Sequence, residues 1–474
     1  MKDSTEAKIF WSAPTDQRVE DCACSTASLL PAAKVRKGAP LWERPPNLYL
    51  EALPEDHTLV FNPFGTAGVV VLNAAALAEL EAFRVAQPIQ SDTAQQLAAL
   101  GLLQPQGAVQ GPPQVKPERL TAWLHVTNAC NLRCTYCYVN KTDEAMDEAT
   151  GRAAIDAIFR SARLHRFKGI ELKYAGGEAT LNFELVRSLH RYAKSLALEY
   201  GFDFQDMVLS NGVALSNAML DFIRDNGINL MVSLDGIGAT HDAQRVFLNG
   251  KGSFKLVAWS IDRALSRGVR PHLSITVTGN SVDGIAQAVT FALDRDLPFN
   301  LNFYRENDYA KSQADLQAED EHLIAAMKAA FKVIEERLPE RSLISALVDR
   351  SNFGGSHTRT CGAGHNYMVV DHKGSMTRCQ MEIEKPVTTI HAVDPLLELQ
   401  TVSSGFQNFS VDDKEGCRTC EWRYWCTGGC PLLTQRVTGR SDVKSPYCNV
   451  YKALYPDLLR LEGLRLVKWQ EEAV

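Results

Sequence analysis

The stretch Cys130-Asn131-Leu132-Arg133-Cys134-Thr135-Tyr136-Cys137 decides how the rest of the chain reads. It follows the apolar run 120–126, so its three thiols sit on a loop just after an expected strand. The spacing is C-x3-C-x2-C. Three close thiolates can hold three irons of a cubane cluster, whereas a [4Fe–4S] cube normally takes four. One iron is then open to a small chelating ligand. A zinc loop is the competing reading. Zinc asks for four ligands, commonly as two C-x2-C pairs, and the sequence offers no fourth nearby.

The chain has 474 residues, enough for two to four domains with a buried core. Hydrophobic residues make up 45% and charged residues 22%, an ordinary globular balance. A net charge of −6 gives no basic surface for nucleic acid or an anionic membrane, so neither is expected as a partner. No apolar run approaches the ~18–20 residues that span a bilayer. Met1-Lys2-Asp3-Ser4 opens without an apolar signal core, which points to the cytoplasm. The 12 cysteines cluster, and in a long chain without an export signal that favours metal over disulfides.

Residues 1–36 read as a poorly structured tail carrying Cys22 and Cys24, to which no role is assigned. Residues 37–117 form a small unit. Runs 58–62 and 68–73 read as strands joined at Pro63-Phe64-Gly65, Asn73 is placed to cap a helix over 74–83, and a second helix covers 92–100. Gly111-Pro112-Pro113 and Pro117 make a linker. Across 118–310, strands at 120–126, 170–174, 206–209, 229–234, 272–277 and 300–303 alternate with helices at 148–164, 182–200, 217–225, 254–266 and 282–295. That alternation predicts an α/β fold, a partial (β/α)6 parallel barrel open on one side. A helical connector is expected over 311–358, its amphipathic stretch running from 310 to 349. A cysteine-rich domain follows over 359–474.

In parallel barrels chemistry gathers where strands end and helices begin. The cysteine loop, Gly176-Gly177-Glu178, Ser210-Asn211-Gly212, and Ser233 with Asp235 all fall there. Glycines admit close backbone approach to a ligand, and a carboxylate accepts from an ammonium. Together with the cysteine spacing, these residues resemble the radical S-adenosylmethionine (SAM) superfamily. The resemblance implies that Cys130, Cys134 and Cys137 hold a [4Fe–4S] cluster whose open iron takes the amino and carboxylate end of SAM. It implies SAM contacts at Gly176, Gly177 and Glu178, at Ser210, Asn211 and Ser233, at Arg245 as a carboxylate partner, and at Tyr136 near the adenine. An ordinary salt bridge is the other reading of Arg245.

Seven cysteines lie from 361 to 448: Cys361, Cys379, then Cys417-x2-Cys420-x5-Cys426-x3-Cys430 and Cys448. This spacing is similar to the SPASM extension of radical SAM peptide and protein maturases. That resemblance implies two auxiliary clusters, one on Cys417, Cys420, Cys426 and Cys448, the other on Cys361, Cys379 and Cys430. No cysteine occurs between 362 and 378, so the latter is expected to keep one iron free. His365, His372, a substrate thiolate, or Cys22 or Cys24 are the candidates for that place. A zinc site on the later cysteines is the alternative.

The strand-strand-helix-helix order of 37–117 resembles the winged-helix leader-peptide recognition module of ribosomal peptide biosynthesis. A structural cap on the next domain is the equal alternative. The whole pattern implies a maturase that reductively cleaves SAM and abstracts hydrogen from a precursor peptide or protein to install a crosslink, a thioether first of all. An electron donor such as flavodoxin or ferredoxin is implied with it. Anaerobic sulfatase maturases resemble the chain too, but carry an aspartate base after the second SPASM cysteine, where Gln380 stands here. A SPASM enzyme acting on a small molecule, and a non-catalytic iron–sulfur carrier, are the remaining readings. No catalytic residue is assigned.

Overall fold

The computed structural model describes residues 6–12, 41–108, 116–310 and 316–471. Cys22, Cys24 and the Gly111-Pro112-Pro113 linker lie outside them. Strand β1 (Ile9–Trp11) corrects the expectation of an unstructured tail: it pairs antiparallel with β5 (Val69–Leu72), Ile9 opposite Leu72. Trp11 is fixed further by its backbone N–H to Gln470 Oε1 at 3.0 Å.

The first unit holds a four-stranded antiparallel sheet in the order β1-β5-β4-β3, with β3 (Tyr49–Ala52) and β4 (Thr58–Phe61). A short ladder joins β2 (Trp42–Glu43) to β6 (Gln104–Pro105). Helices α1 (Ala74–Ala82) and α2 (Asp92–Ala99) cover one face, packing on Val60, Val70 and Leu72. Asn73 caps α1 as expected, accepting from the Ala76 N–H at 3.0 Å. The other face, Leu59, Phe61, Val69 and Val71, joins the main core. Burial on both faces explains why β5 reads as an unbroken apolar run rather than an alternation.

Six parallel strands follow in sequence order: β7 (Arg119–Thr127), β8 (Gly169–Gly176), β9 (Asp203–Ser210), β10 (Asn229–Ser233), β11 (His272–Val277) and β12 (Phe299–Phe303). The crossovers carry α3 (Glu148–Leu164), α4 (Phe183–Tyr200), α5 (Asn217–Asn226), α6 (Ala239–Asp242) with α7 (Phe254–Ser266), and α8 (Ile285–Asp294). Along β7 the residues Leu120, Ala122, Leu124 and Val126 join the helix-side core, while Trp123 belongs to a separate cluster on the inner face. This is the expected partial barrel.

The connector is less helical than expected. Among the described residues only α9 (Asp320–Glu336) is a helix there, packed on α8 and α13. Pro339 follows closely and turns the chain from helical geometry. Strands β13 (Tyr367–Val370), β14 (Ser375–Thr377) and β15 (Thr388–Thr389) then extend the barrel sheet to nine strands. β13 lies parallel to β7, from Tyr367 opposite Thr121 to Val370 opposite Leu124. The remaining helices are α10 (Pro395–Thr401), α11 (Arg423–Cys426), α12 (Pro431–Thr438) and α13 (Cys448–Glu471). Trp425 donates its indole N–H to Pro63 O at 2.9 Å, and its ring meets Phe61 edge-on. The cysteine-rich region is thus packed against the first unit. Among the described residues no helix is long and apolar enough to cross a membrane.

Candidate functional site

The cysteine loop leaves β7 through a bulge. The β7–β8 register shifts between His125 and Thr127, adding one residue to β7 and turning its end. Two backbones then grip the loop. On one side Gly177 N–H donates to Thr127 O at 2.7 Å and Glu178 N–H to Ala129 O at 2.9 Å. On the other, Arg133 N–H donates to Val246 O at 2.7 Å and Thr135 N–H to Gln244 O at 3.0 Å.

This geometry gives the glycines a structural role. A Cβ at Gly177 would stand 2.4 Å from Ala129 O, and one at Gly176 2.3 Å from Thr127 O. The close approach they permit within the chain is to the base of the cysteine loop. Glu178 is buried and already bonded. Its Oε1 accepts from Thr180 Oγ1 at 2.6 Å and Ser210 Oγ at 2.8 Å, and its Oε2 from the Asn211 N–H at 2.6 Å. It ties the end of β8 to the end of β9. Asn211 in turn donates to Asn131 Oδ1 at 2.7 Å and approaches Cys130 Sγ at 3.8 Å. Ser233 ends β10 in register with Ser274.

Tyr136 donates to Asp235 Oδ2 at 2.5 Å, and Arg245 bonds both the Tyr136 hydroxyl and Asp235, the latter at 3.2 Å. Arg245 is therefore in an internal triad, while its buried Nε has no partner. Asp235 Oδ1 also accepts from the Thr276 N–H at 2.9 Å. Behind the triad, Asp235 N–H donates to His241 Nδ1, so Nε2 carries the proton and meets Ser253 Oγ at 3.0 Å. Burial, with Arg245 nearby, holds this imidazole down to about 4 and keeps it neutral. Asp235 was read at the rim without an assigned role, and His241 was not among the expected site residues. Only the position of Asp235 just past β10 signalled it.

The thiols suit a cluster. Burial pushes Cys130 up and Cys134 up to about 12, and each feels the charge of its neighbours in the loop. A buried thiol of that kind gives up its proton when a cation takes the proton's place. The orphaned Arg245 Nε beside Cys134 fits a carboxylate.

In the C-terminal region Cys417, Cys420, Cys426 and Cys448 line one small cavity with Trp422 and Tyr455. Among the described residues no three His, Cys, Asp or Glu side chains close on a single ion-sized point. These sulfurs instead surround a space. Burial lifts Cys417 up to about 12 and Cys361 up to about 11. Cys361 and Cys430 lie close enough to feel each other's charge. Cys379 caps the turn after β14, and the adjoining Gln380 accepts from Tyr367 Oη at 3.0 Å. His365 approaches Asn408 O at 3.4 Å, and Asn408 donates to Cys361 O at 2.8 Å. His372 packs instead by His125 and Glu144. Lys414 is a residue the sequence did not single out. It is 1% exposed, with its Nζ donating to Thr427 O at 2.8 Å.

Residues 124–292 match the model of the radical SAM superfamily. The cysteine-type anaerobic sulfatase-maturating enzyme of Clostridium perfringens is 20% identical over 69% of this chain and 93% of its own length. The serine-type enzyme of Klebsiella aerogenes is 24% identical over 70% of this chain and 83% of its own. An uncharacterized protein of Methanocaldococcus jannaschii is 33% identical, but the match spans 27% of this chain and only 43% of that relative. Among solved structures, native anSMEcpe with bound AdoMet superposes with a TM-score of 0.59 at 17% identity, over 75% of this chain and 100% of that one. The last comparison establishes a shared fold.

Proposed function

Since the chain belongs to the radical SAM superfamily, with SAM and [4Fe–4S] iron as its cofactors, we propose that it matures a ribosomal peptide or protein by crosslinking a cysteine side chain into a thioether. One observation carries the site assignment: the C-x3-C-x2-C loop is clamped at the strand-end rim between Gly176-Gly177-Glu178 and the 244–247 segment. When bound, the cluster and SAM supply the radical that takes hydrogen from an unactivated C–H bond. The chain's own residues bind and orient. Cys130, Cys134 and Cys137 would hold three irons. Arg245, with its unpartnered Nε, would bind the SAM carboxylate. Glu178 fixes the Ser210-Asn211 turn, and Asn211 steadies Cys130.

Two auxiliary clusters belong to the same proposal, one in the cavity lined by Cys417, Cys420, Cys426 and Cys448, the other on Cys361, Cys379 and Cys430. The first unit would hold the substrate's leader. The edge strand β3 and a crevice flanked by Tyr49, Phe64 and Thr419 support that role.

Formylglycine formation is the second reading, favoured by the sulfatase-maturating relatives. Gln380 weighs against it: a buried amide that accepts from Tyr367 takes no proton at neutral pH. The test is anaerobic incubation of reconstituted protein with dithionite, SAM and a cysteine-containing precursor peptide. 5′-Deoxyadenosine should form, and Cys134→Ala should abolish it. A product that loses hydrogen but keeps its sulfur supports the thioether. An aldehyde with the sulfur gone would move the chain to the second reading. Deleting the first unit without loss of peptide affinity would remove the leader role.

A further inference from the structure

Lys414 is buried at 1% exposure, and among the described residues no carboxylate pairs with it. A buried ammonium without a counter-anion is costly, of the order of several kcal/mol. Its surroundings say what offsets that cost. Nζ donates to Thr427 O, directly after Cys426. The same carbonyl lies 3.1 Å from the Thr360 hydroxyl, directly before Cys361, and that hydroxyl is 2.8 Å from Gly429 O, directly before Cys430. Gly428, in the left-handed region at φ +81°, leaves the space: a Cβ there would stand 3.0 Å from Lys414 Cδ and 3.2 Å from Cys417 Sγ. The ammonium thus stands beside Cys417 and against the backbone that adjoins Cys426 in one cysteine set, and that backbone is tied through Thr360 to the residues preceding Cys361 and Cys430 in the other.

We propose that Lys414 is the shared counter-charge of the two auxiliary cluster sites, a single cation held between them that eases electron uptake at both. The proposal rests on the auxiliary-cluster reading above. Each thiolate-ligated cube is negative and becomes more so when it accepts an electron. Net charge and exposure set the potential of such clusters. A fixed cation in a low-dielectric interior therefore favours the reduced form of each. Lys414 acts through the clusters and is a positioning residue.

The experiment is an EPR-monitored potentiometric titration of the full-length holoenzyme, wild type against Lys414→Met and Lys414→Arg, with iron and sulfide assayed first. Wild-type iron sufficient for one cube only would overturn the auxiliary-cluster reading, and this one with it. With all clusters present, Lys414→Met should lower the reduced-to-oxidised ratio at fixed potential about tenfold for both auxiliary signals, a shift of about 59 mV for a one-electron couple. Lys414→Arg should stay near wild type. Unmoved midpoints in a fully loaded Lys414→Met protein, or movement of one signal alone, would overturn the proposal. If Lys414→Met does not retain its clusters, wild-type protein labelled at lysine 15Nζ decides. Nitrogen hyperfine coupling on both reduced auxiliary signals, erased by Lys414→Arg, supports the shared position. Its absence from either signal refutes it.

Discussion

Tyr136 and Asp235, 99 positions apart in the chain, meet in a 2.5 Å hydrogen bond that fastens the cysteine loop to the end of β10. The phenol is neutral, since burial pushes it well above its ordinary value, so it is the donor. Tyr136→Phe keeps the ring and leaves Asp235 paired with Arg245. The expected cost is about 1–2 kcal/mol. It should appear as a lowered Tm of the anaerobic protein and as weaker SAM binding in equilibrium dialysis, with cluster iron retained.

Gly177→Ala should be far more damaging. The new methyl would meet backbone on two sides, Ala129 O at 2.4 Å and Asn128 O at 2.5 Å, and backbone does not step aside as a side-chain tip does. The loop base must part from β8, so iron assays should show loss of the loop-bound cluster. Gly227→Ala is the control. Gly227 has a left-handed φ of +68°, which Gly177 has not, but open space around it, and the change should cost about 1 kcal/mol while keeping its iron.

Acid should weaken the fold through its buried histidines. Burial holds His125, His241 and His357 each down to about 4, against about 6.5 in an unfolded chain. Between those values the unfolded state binds more protons than the folded one. Stability is therefore full above about pH 6.5 and falls as pH drops toward 4, by about 3 kcal/mol per histidine at order of magnitude. Urea unfolding from pH 7 to 4.5 measures the slope. His241→Gln should remove roughly a third of that histidine contribution.

Trp425→Ala tests the joint between the first unit and the cysteine-rich region. The indole is fully buried, stacks on Phe353, meets Phe61 and bonds Pro63. Truncation should cost about 3–5 kcal/mol. Hydrogen exchange should report it first in β4 and β5, whose inner faces lose their cover.

Much of the barrel was legible because its periodicity is local. The helices over 148–164 and 254–266 and the strand over 272–277 match the structure residue for residue. Asn73 was legible for the same reason, since a cap acts within one turn. What stayed hidden depends on distant partners. β1 is three residues in a polar context, and only the exposed edge of β5 makes it a strand. β13 was hidden because nothing within Tyr367–Val370 says that β7 is its neighbour. Arg245 was placed beside a ligand by its motif, but its partners Tyr136 and Asp235 come from other loops. Lys414 carries no motif at all; burial alone singles it out.

The pairing of β13 with β7 has a mechanical consequence. Cys130 emerges just beyond one of these strands, and Cys379 follows the hairpin partner of the other, so a hydrogen-bonded seam joins the floor beneath both. Hinging one against the other would shear four residue pairs of ladder at once. The gap between the two sulfur-bearing turns behaves as a fixed gauge, and a guest of the wrong span must bend itself to fit.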